Sequence, residues 1–267
     1  MNKRLGRKLS LFLFPGLVGL AVFFMLPLVI TVILSFYGSN MPLFHYRQAI
    51  DSPAFRLALQ NTLRLLAVGV PVIMAGGILM AVVFHTLFSN RLSGSRFLFL
   101  MYLLPLVLPS AVVAFLTEIF FPYSDAPQVR WLMTGIYIWK NIPYVLLAGF
   151  LGLRNIPAPV YDAAQLDGAG GWKMLRHIML PLLKPYMLVG VVLAFLGVFR
   201  IFRESYLFFG SYPDQSVYYL QNYMNNLFYA ANYGQLAAVS DLFLVGLSVL
   251  LLAALAFFGK EAQQWAG

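Results

Sequence analysis

The segment that decides the fold is YDAAQLDGAGGWKMLRHIMLPLLKP, residues Tyr161–Pro185. It is the longest stretch that is too polar to lie in a lipid core, and apolar segments flank it on both sides. Its ionisable side chains are Asp162, Asp167, Lys173, Arg176, His177 and Lys184. Because charged groups inside a bilayer are costly, the segment predicts a loop outside the membrane between two spans.

The first half of this loop predicts a short helix. Pro157 and Pro159 fix its start, and Asp162 is expected in its first turn, where a carboxylate interacts favourably with the positive end of the helix dipole. Alanine and leucine favour the helix. Asp167-Gly168, followed by the pair Gly170-Gly171, is expected to end it.

The second half predicts another short helix, from Trp172 to Leu180. Its basic residues fall largely on the side opposite to its apolar ones, which are Trp172, Leu175, Ile178 and Met179. Pro181 and Pro185 are expected to end this helix before the next span begins.

The segment resembles the cytoplasmic loop of importer permeases of the ATP-binding cassette (ABC) class. That loop has the form E-A-A-x-x-D-G-A, then five residues, F-x-x-I-x-L-P, and a proline four residues later. The matching positions here are Asp162-Ala163-Ala164, Asp167-Gly168-Ala169, Leu175, Ile178, Leu180-Pro181 and Pro185. Asp162 stands for the usual Glu, which shortens a carboxylate that contacts the ATPase subunit, and Leu175 stands for the usual Phe. The resemblance implies that a coupling set docks on the ATPase: Asp162, Ala163, Ala164, Asp167, Gly168, Ala169 and Leu175.

Further motifs resemble the maltose-type and glycerol-phosphate-type branch of the sugar-importer permeases. They are Phe14-Pro15-Gly16, Pro27, Ser35-Phe36, Asn61-Thr62-Leu63, Leu104-Pro105, Pro109, Trp139, Pro143, Leu151 to Pro157, Tyr233-Gly234 and Ala237-Ala238. In that branch the turn after the fifth span is often Gly-Gly-Pro, whereas here it is Gly210-Ser211-Tyr212-Pro213. Because this turn is expected near the outer mouth of the pore, the difference concerns the identity of the substrate and not the transporter class. The resemblance implies the type I ABC-importer permease fold. It also implies a sugar or oligosaccharide as cargo, with an extracellular binding protein, a second homologous permease and two ATPases as partners.

The composition is that of a membrane protein. Of the 267 residues, 61% are hydrophobic and 10% are charged, whereas soluble domains carry about 25% charged residues. We expect one all-α transmembrane domain over residues 1–267. The net charge of +9 is attributed to cytoplasmic loops and anionic lipid headgroups, not to nucleic acid. The absence of cysteine excludes a thiolate nucleophile and a cysteine-based metal site.

Hydropathy predicts six spans. They cover approximately residues 11–36, 61–88, 97–121, 131–153, 186–209 and 236–258, with the coupling loop at 154–185. Each is long enough to cross a core of about 30 Å. Pro15 or Pro27 is expected to kink the first span, and Pro105 and Pro109 to interrupt the third. The segments 38–60, 122–130 and 210–234 are placed outside.

The basic residues predict the orientation, because they are enriched in cytoplasmic loops. The proposed inner side holds Lys3, Arg4, Arg7, Lys8, Arg91, Arg96, Arg154, Lys173, Arg176, Lys184 and Lys260. The outer side holds Arg47, Arg56 and Arg130. Both termini are therefore expected in the cytoplasm. The resemblance to importer permeases implies that the chain lies in the cytoplasmic (inner) membrane of a prokaryote.

Nothing in the sequence predicts catalysis by this chain. It has no G-x-x-x-x-G-K-[ST] phosphate loop, so ATP and Mg²⁺ are expected on the partner ATPases and no cofactor on this chain. His45, His85 and His177 lie on separate segments, which argues against a metal site and against a membrane-embedded enzyme. An ion-coupled secondary transporter would show paired repeats and would not need the coupling loop. An ABC permease for a solute other than a sugar stays open.

Polar residues within spans are expected to face the interior of the bundle, and aromatic rings can stack on sugar faces. The candidates for a substrate path are Glu118, Trp139, Lys140, Asn141, Tyr144, Phe199, Arg200, Arg203, Glu204 and Asp241. Arg200 and Glu204 are four residues apart on a helix and are expected to pair near the outer interface. Cations slightly outnumber carboxylates in or near the spans, which leaves both a neutral and an acidic saccharide open.

Overall fold

The computed structural model describes residues 13–38, 41, 43–121 and 126–262, and their side chains except those of 126 and 257–262. Several predictions lie outside the described residues. These are the basic cluster at Lys3, Arg4, Arg7 and Lys8, the first two residues of the first span, the part of the outer turn at 122–125, and the side chain of Lys260.

The described residues are almost entirely helical and include no strand. The helices are α1 (Leu13–Phe36), α2 (Phe44–Asp51), α3 (Pro53–Ser89), α4 (Ser95–Val107), α5 (Ser110–Phe120), α6 (Ala126–Arg154), α7 (Ala158–Leu166), α8 (Gly171–Phe209), α9 (Leu220–Tyr229) and α10 (Tyr233–Ala262). A short 3₁₀ turn, Gln215–Val217, precedes α9. Five of these helices are long and apolar enough to span a membrane, and the bent pair α4–α5 makes a sixth. The predicted count of six spans is confirmed when the bent pair is counted as one span.

The third predicted span is interrupted at Pro109, as expected. Helices α4 and α5 meet at 102°, with Leu108 and Pro109 between them in extended conformation. Pro109 causes the break because proline lacks an N–H and disfavours a helical residue before it. The prediction that Pro105 also interrupts the span is wrong, since Pro105 lies inside α4.

Two spans begin earlier than predicted. Helix α3 begins at Pro53, within the segment that was placed outside the membrane. Proline suits a first helical position, and the Phe55 N–H donates to Ser52 Oγ at 3.4 Å as a cap. Helix α6 begins at Ala126, so the predicted outer turn at 122–130 is shorter. Hydropathy missed these turns because they are polar enough to extend beyond a lipid core.

Two of the spans that contain prolines have a wide turn just before a proline. In α1 the π-helical turn Ala21–Met25 precedes Pro27, and the Leu26 N–H donates to Ala21 O. In α8 the corresponding turn is Leu175–Met179. Widening a turn relieves the clash between a proline ring and the preceding carbonyls. The prediction that Pro181 and Pro185 end a separate short helix is therefore wrong, because α8 runs unbroken from the loop into the span.

Helix α7 ends as predicted but begins differently. Pro157 is extended and α7 begins at Ala158, so Asp162 is its fifth residue and lies beyond the first turn, contrary to prediction. At the other end Gly168 has φ +73°, which glycine adopts without strain. The N–H of Ala169 donates to Ala164 O at 2.9 Å and that of Gly168 to Gln165 O at 3.0 Å. These two bonds are the Schellman arrangement that ends helices.

The connection between α8 and α9 is held by side chains near the start of the second predicted span. Asn61 Nδ2 donates to Gln215 O at 2.7 Å and to Tyr218 O at 3.1 Å. Thr62 Oγ1 accepts from the Leu220 N–H at 2.9 Å. Hydrogen bonds from Ser216 lower the pKa of the Asp214 carboxyl. The Asn61-Thr62 motif thus fastens the connection to α3.

The chain divides into two compact units, Met1–Arg56 with Tyr223–Leu247 and Leu57–Asn222 with Ser248–Gly267. The prediction of one domain over residues 1–267 stays a prediction. In the first unit, Tyr46 Oη donates to Asp241 Oδ2 at 2.9 Å and lies 2.8 Å from Ser35 Oγ.

The core of the second unit is built around α6, which packs against α3, α4 and α8. It contains Ile73, Met133, Tyr137, Val145, Leu146 and Ala194, all buried. Glycines allow the close approach between helices. A Cβ at Gly77 of α3 would overlap Val145 Cβ and lie 3.1 Å from the Leu146 nitrogen on α6.

We expect Gly77→Ala to destabilise the protein by about 1–3 kcal/mol, the usual cost of overpacking a well-packed core. Gly135→Ala is the matched control, because a Cβ at Gly135 meets nothing within 4 Å and alanine favours a helix. Thermal unfolding in detergent measures both variants. Equal melting temperatures for the two would show that α3 and α6 do not pack as closely as described.

Candidate functional site

A polar cavity of about 240 Å³ lies where α6, α8 and the α4–α5 break meet. Its polar lining consists of Ser110, Tyr137, Lys140, Asn141, Tyr144, Arg200, Arg203 and Glu204, and its remaining walls of Pro105, Leu106, Leu108, Pro109, Gly197 and Ile201. Lys140 is the fourteenth of the 28 residues of the span Pro127–Arg154. At 1.5 Å per residue it is about 20 Å from either end of that span. The cavity therefore lies at mid-length of α6, inside a segment apolar enough to cross a membrane.

A buried ion pair closes one side of the cavity. Lys140 Nζ lies 2.5 Å from Glu204 Oε1, and the two side chains are 19% and 1% exposed. Lys140 also donates to Ser110 Oγ at 3.5 Å. Glu204 Oε2 is buried and has no hydrogen-bond partner among the described residues. The expected pair between Arg200 and Glu204 near the outer interface is wrong, because the Glu204 carboxylate meets Lys140 on the neighbouring helix instead.

Arg200, one turn before Glu204 on α8, is held by neutral groups. Its guanidinium lies 4.4 Å from the centre of the Tyr144 ring and donates to the Tyr144 hydroxyl. It also donates to Asn141 Oδ1 and to Leu193 O, both at 3.3 Å. Asn141 is fixed in turn, since its Nδ2 donates to Tyr137 O at 2.7 Å. A guanidinium over an aromatic face gains a cation–π attraction, so Arg200 is oriented without a carboxylate.

Close helix packing creates this arrangement. A Cβ at Gly197 of α8 would overlap the Asn141 side chain. Tyr137 Oη crosses the same interface and donates to Ala194 O at 2.7 Å. The small residues on α8 thus let the polar face of α6 come within hydrogen-bonding distance.

Six of the ten candidates for a substrate path line this cavity: Lys140, Asn141, Tyr144, Arg200, Arg203 and Glu204. Four do not. Glu118 is exposed on α5, and Phe199 packs against the core of the second unit. Trp139 lines a separate apolar cavity of about 410 Å³, and Asp241 accepts from Tyr46 in the first unit.

Sequence reasoning missed Ser110 and Tyr137 in the cavity lining. Tyr137 precedes Lys140 and Asn141 by three and four residues, so helical spacing places it on the same face. Ser110 follows the Pro109 break and becomes part of the cavity only because α5 turns away from α4. Tyr137 could have been predicted from helical periodicity, whereas placing Ser110 in the lining required knowledge of the bend.

The inner face of α7 is anchored to this chain's own helices. Tyr161 Oη donates to Leu153 O near the end of α6 at 3.2 Å, and its ring stacks on His85 of α3 with centroids 5.6 Å apart. Burial raises the pKa of the Tyr161 phenol. Ala164, one turn further, is buried as well. Helix α7 is thus in direct contact with the end of α6 and with α3.

The outer face of α7, which points away from α3 and α6, is exposed. Of the coupling set, Asp162, Ala163, Asp167 and Gly168 are exposed, Ala169 and Leu175 are half-buried, and Ala164 faces inward. Leu166 is 90% exposed and Trp172 is 70% exposed. Leu166 occupies a variable position of the motif, so the sequence did not single it out. Both Leu166 and Trp172 are large apolar side chains in a charged loop.

Residues 73–261 match the family described as "Binding-protein-dependent transport system inner membrane component". The chain belongs to this family. Membership confirms the prediction drawn from the segment 161–185: the chain is a membrane permease of an ABC importer that works with a binding protein.

The chain is also similar to known ABC transporter permeases, some of them named for sugars. The chain is 27% identical to YurN of Bacillus subtilis, a probable ABC transporter permease, over 94% of this chain and 96% of that protein. It is 29% identical to AraP of the same organism, an arabinooligosaccharides transport system permease, over 74% and 70% of the two chains.

A solved structure shares the fold. It is a chain of a bacterial ABC transporter involved in the import of the acidic polysaccharide alginate. The TM-score is 0.78 at 20% identity, and the alignment covers 97% of this chain and 99% of the other. The type I importer permease fold expected from the sequence is confirmed.

Proposed function

We propose that this permease moves a saccharide through the polar cavity between α6 and α8. The proposal is supported by a cluster of hydrogen-bonding side chains between the middle of α6 and the last third of α8. Polar groups at that depth are costly and mark transport paths. Relatives such as AraP, which is named for arabinooligosaccharides, support a sugar or oligosaccharide as cargo, delivered by an extracellular binding protein.

The coupling loop is proposed to dock on an ATPase subunit through the outer face of α7. Asp162, Ala163, Gly168 and the exposed Leu166 would form the contact, and Ala164 would hold the helix to its own chain. ATP and Mg²⁺ would bind on the ATPases, and no cofactor on this chain. The positive-inside distribution supports a cytoplasmic loop and two cytoplasmic termini.

Two connections would carry movement from this loop to the cavity. The first is the bond from Tyr161 to Leu153 at the end of α6, the helix that carries Lys140. The second is α8, which begins in the loop at Gly171 and reaches Arg200 and Glu204 without a break. When two ATPases close on ATP, both helices would shift as rigid elements and reopen the cavity to the other side, as packed two-state bundles do.

We expect the intact transporter to contain this permease, a second homologous permease and two ATPases. Purification in mild detergent from its native membrane, with a tag on this chain, should yield all of these subunits in one complex. Mass measurement of the solubilised complex checks the composition. A stable monomer that transports a sugar by itself would contradict the proposal.

A further inference from the structure

We propose that the cavity selects saccharides that carry a carboxylate, with Arg200 and Arg203 as the groups that receive it. The inference rests on the proposed function, because it concerns the cargo of the same path. It assigns a charge to a cargo that family membership leaves open.

Positive charges outnumber negative charges in the cavity lining. In the part of the chain that the structure describes, three cations line the cavity, Lys140, Arg200 and Arg203, and one carboxylate, Glu204. Glu204 is committed to Lys140 at 2.5 Å. Neither arginine forms an ion pair with a described residue. The lining therefore keeps two uncompensated positive charges.

The helix itself does not account for these charges. Cations are favoured at a helix C-terminus, but only within the last turn. Arg200 and Arg203 lie nine and six residues before Phe209, where α8 ends. A neutral side chain at either position would avoid the cost of a charge at membrane depth. Two unpaired arginines in one cavity are explained by an anion that passes through it.

The geometry fits a carboxylate. Arginine presents its donors in a planar fork that matches a carboxylate with two parallel hydrogen bonds. Contacts with Tyr144 and Asn141 already fix the orientation of the Arg200 fork, and Arg203 is exposed at the cavity wall. Both therefore have donors left for a ligand.

The size of the cavity limits how much of a saccharide it can hold. The cavity, about 240 Å³, is smaller than the pockets of roughly 300–1,000 Å³ that enclose drug-sized ligands. It would therefore hold one uronate unit of a chain at a time.

The test compares two cargoes in the whole transporter, reconstituted in vesicles with its ATPases and binding protein. One cargo is a uronate oligosaccharide, and the other is the same oligosaccharide with its carboxyls reduced to alcohols. We expect wild-type uptake to favour the uronate. Arg200→Gln and Arg203→Gln should each lower uronate uptake about tenfold or more, the loss expected for one charge-assisted hydrogen bond. Uptake of the neutral cargo should fall less than uptake of the uronate, so each variant lowers the ratio of uronate to neutral uptake.

Arg64→Gln is the matched control, because Arg64 is an exposed cation on α3 that does not line the cavity. If Arg200→Gln impairs assembly, Arg203→Gln still tests the proposal. Arg203 is exposed and forms no ion pair with a described residue, so its replacement should not disturb the fold. Equal losses for both cargoes, or wild-type preference for the neutral one, would overturn the acidic selectivity and leave the saccharide proposal standing. Uptake of neither cargo by an assembled complex would overturn both.

Discussion

Lys140→Met is expected to lower the free energy of unfolding by about 3–5 kcal/mol. The substitution keeps the length of the side chain but leaves the Glu204 carboxylate, 1% exposed, without its cation. Breaking a buried pair by removing one partner costs this much, because the remaining charge is desolvated and uncompensated. Thermal or denaturant unfolding of the purified complex in detergent measures the loss.

The double variant Lys140→Met/Glu204→Met separates the charge from the packing. Replacing both members of a buried pair with apolar residues of similar size is often neutral or stabilising. Most of the lost stability should therefore return, although transport need not. If the double variant is as unstable as Lys140→Met, the effect comes from the shape of the side chain and the pair is not a structural element.

The sequence predicted what depends on local composition. Six apolar stretches and one polar loop are visible in the residues themselves, and so is the end of α7 at Gly168, where φ is +73°. The family motif in the loop added the transporter class. These features need no knowledge of which helices touch each other.

Pairing across helices could not be predicted in the same way. Helical spacing favoured Arg200 with Glu204, four residues apart. In the structure Glu204 turns to Lys140, 64 positions away in the chain, because α6 approaches α8 closely at Gly197. Which polar side chains meet depends on such close approaches, and these emerge only when the spans are packed together.

The prolines show a second limit. Pro109 breaks a span and Pro181 does not, although both lie in apolar surroundings. Pro181 follows the wide turn Leu175–Met179, and the helix continues through it. Proline rules predict where a helix is strained, but the turn that relieves the strain is a property of the folded chain. This is why α8 was predicted as two helices, and why its unbroken course from loop to cavity was missed.

Leu166→Asp is expected to abolish uptake by detaching the ATPase, while leaving the fold of the permease intact. Leu166 is 90% exposed, and surface substitutions of this kind usually change stability by no more than about 0.5 kcal/mol. At a docked interface the same change has two costs. It loses about 1.5–3 kcal/mol of apolar burial, and it desolvates a carboxylate without an assigned partner.

Together these costs exceed about 3 kcal/mol, which weakens ATPase binding by more than about 100-fold. Affinity purification through a tag on the permease measures the ATPase retained, and unfolding of the isolated permease measures its stability. Leu166→Met is the matched control, because it keeps an apolar side chain of similar size at the same position. Full retention of the ATPase by Leu166→Asp would mean that this outer face of α7 is not the contact. In that case the ATPase would not contact Leu166. The contact would instead have to include Trp172, the other exposed large apolar side chain of the loop.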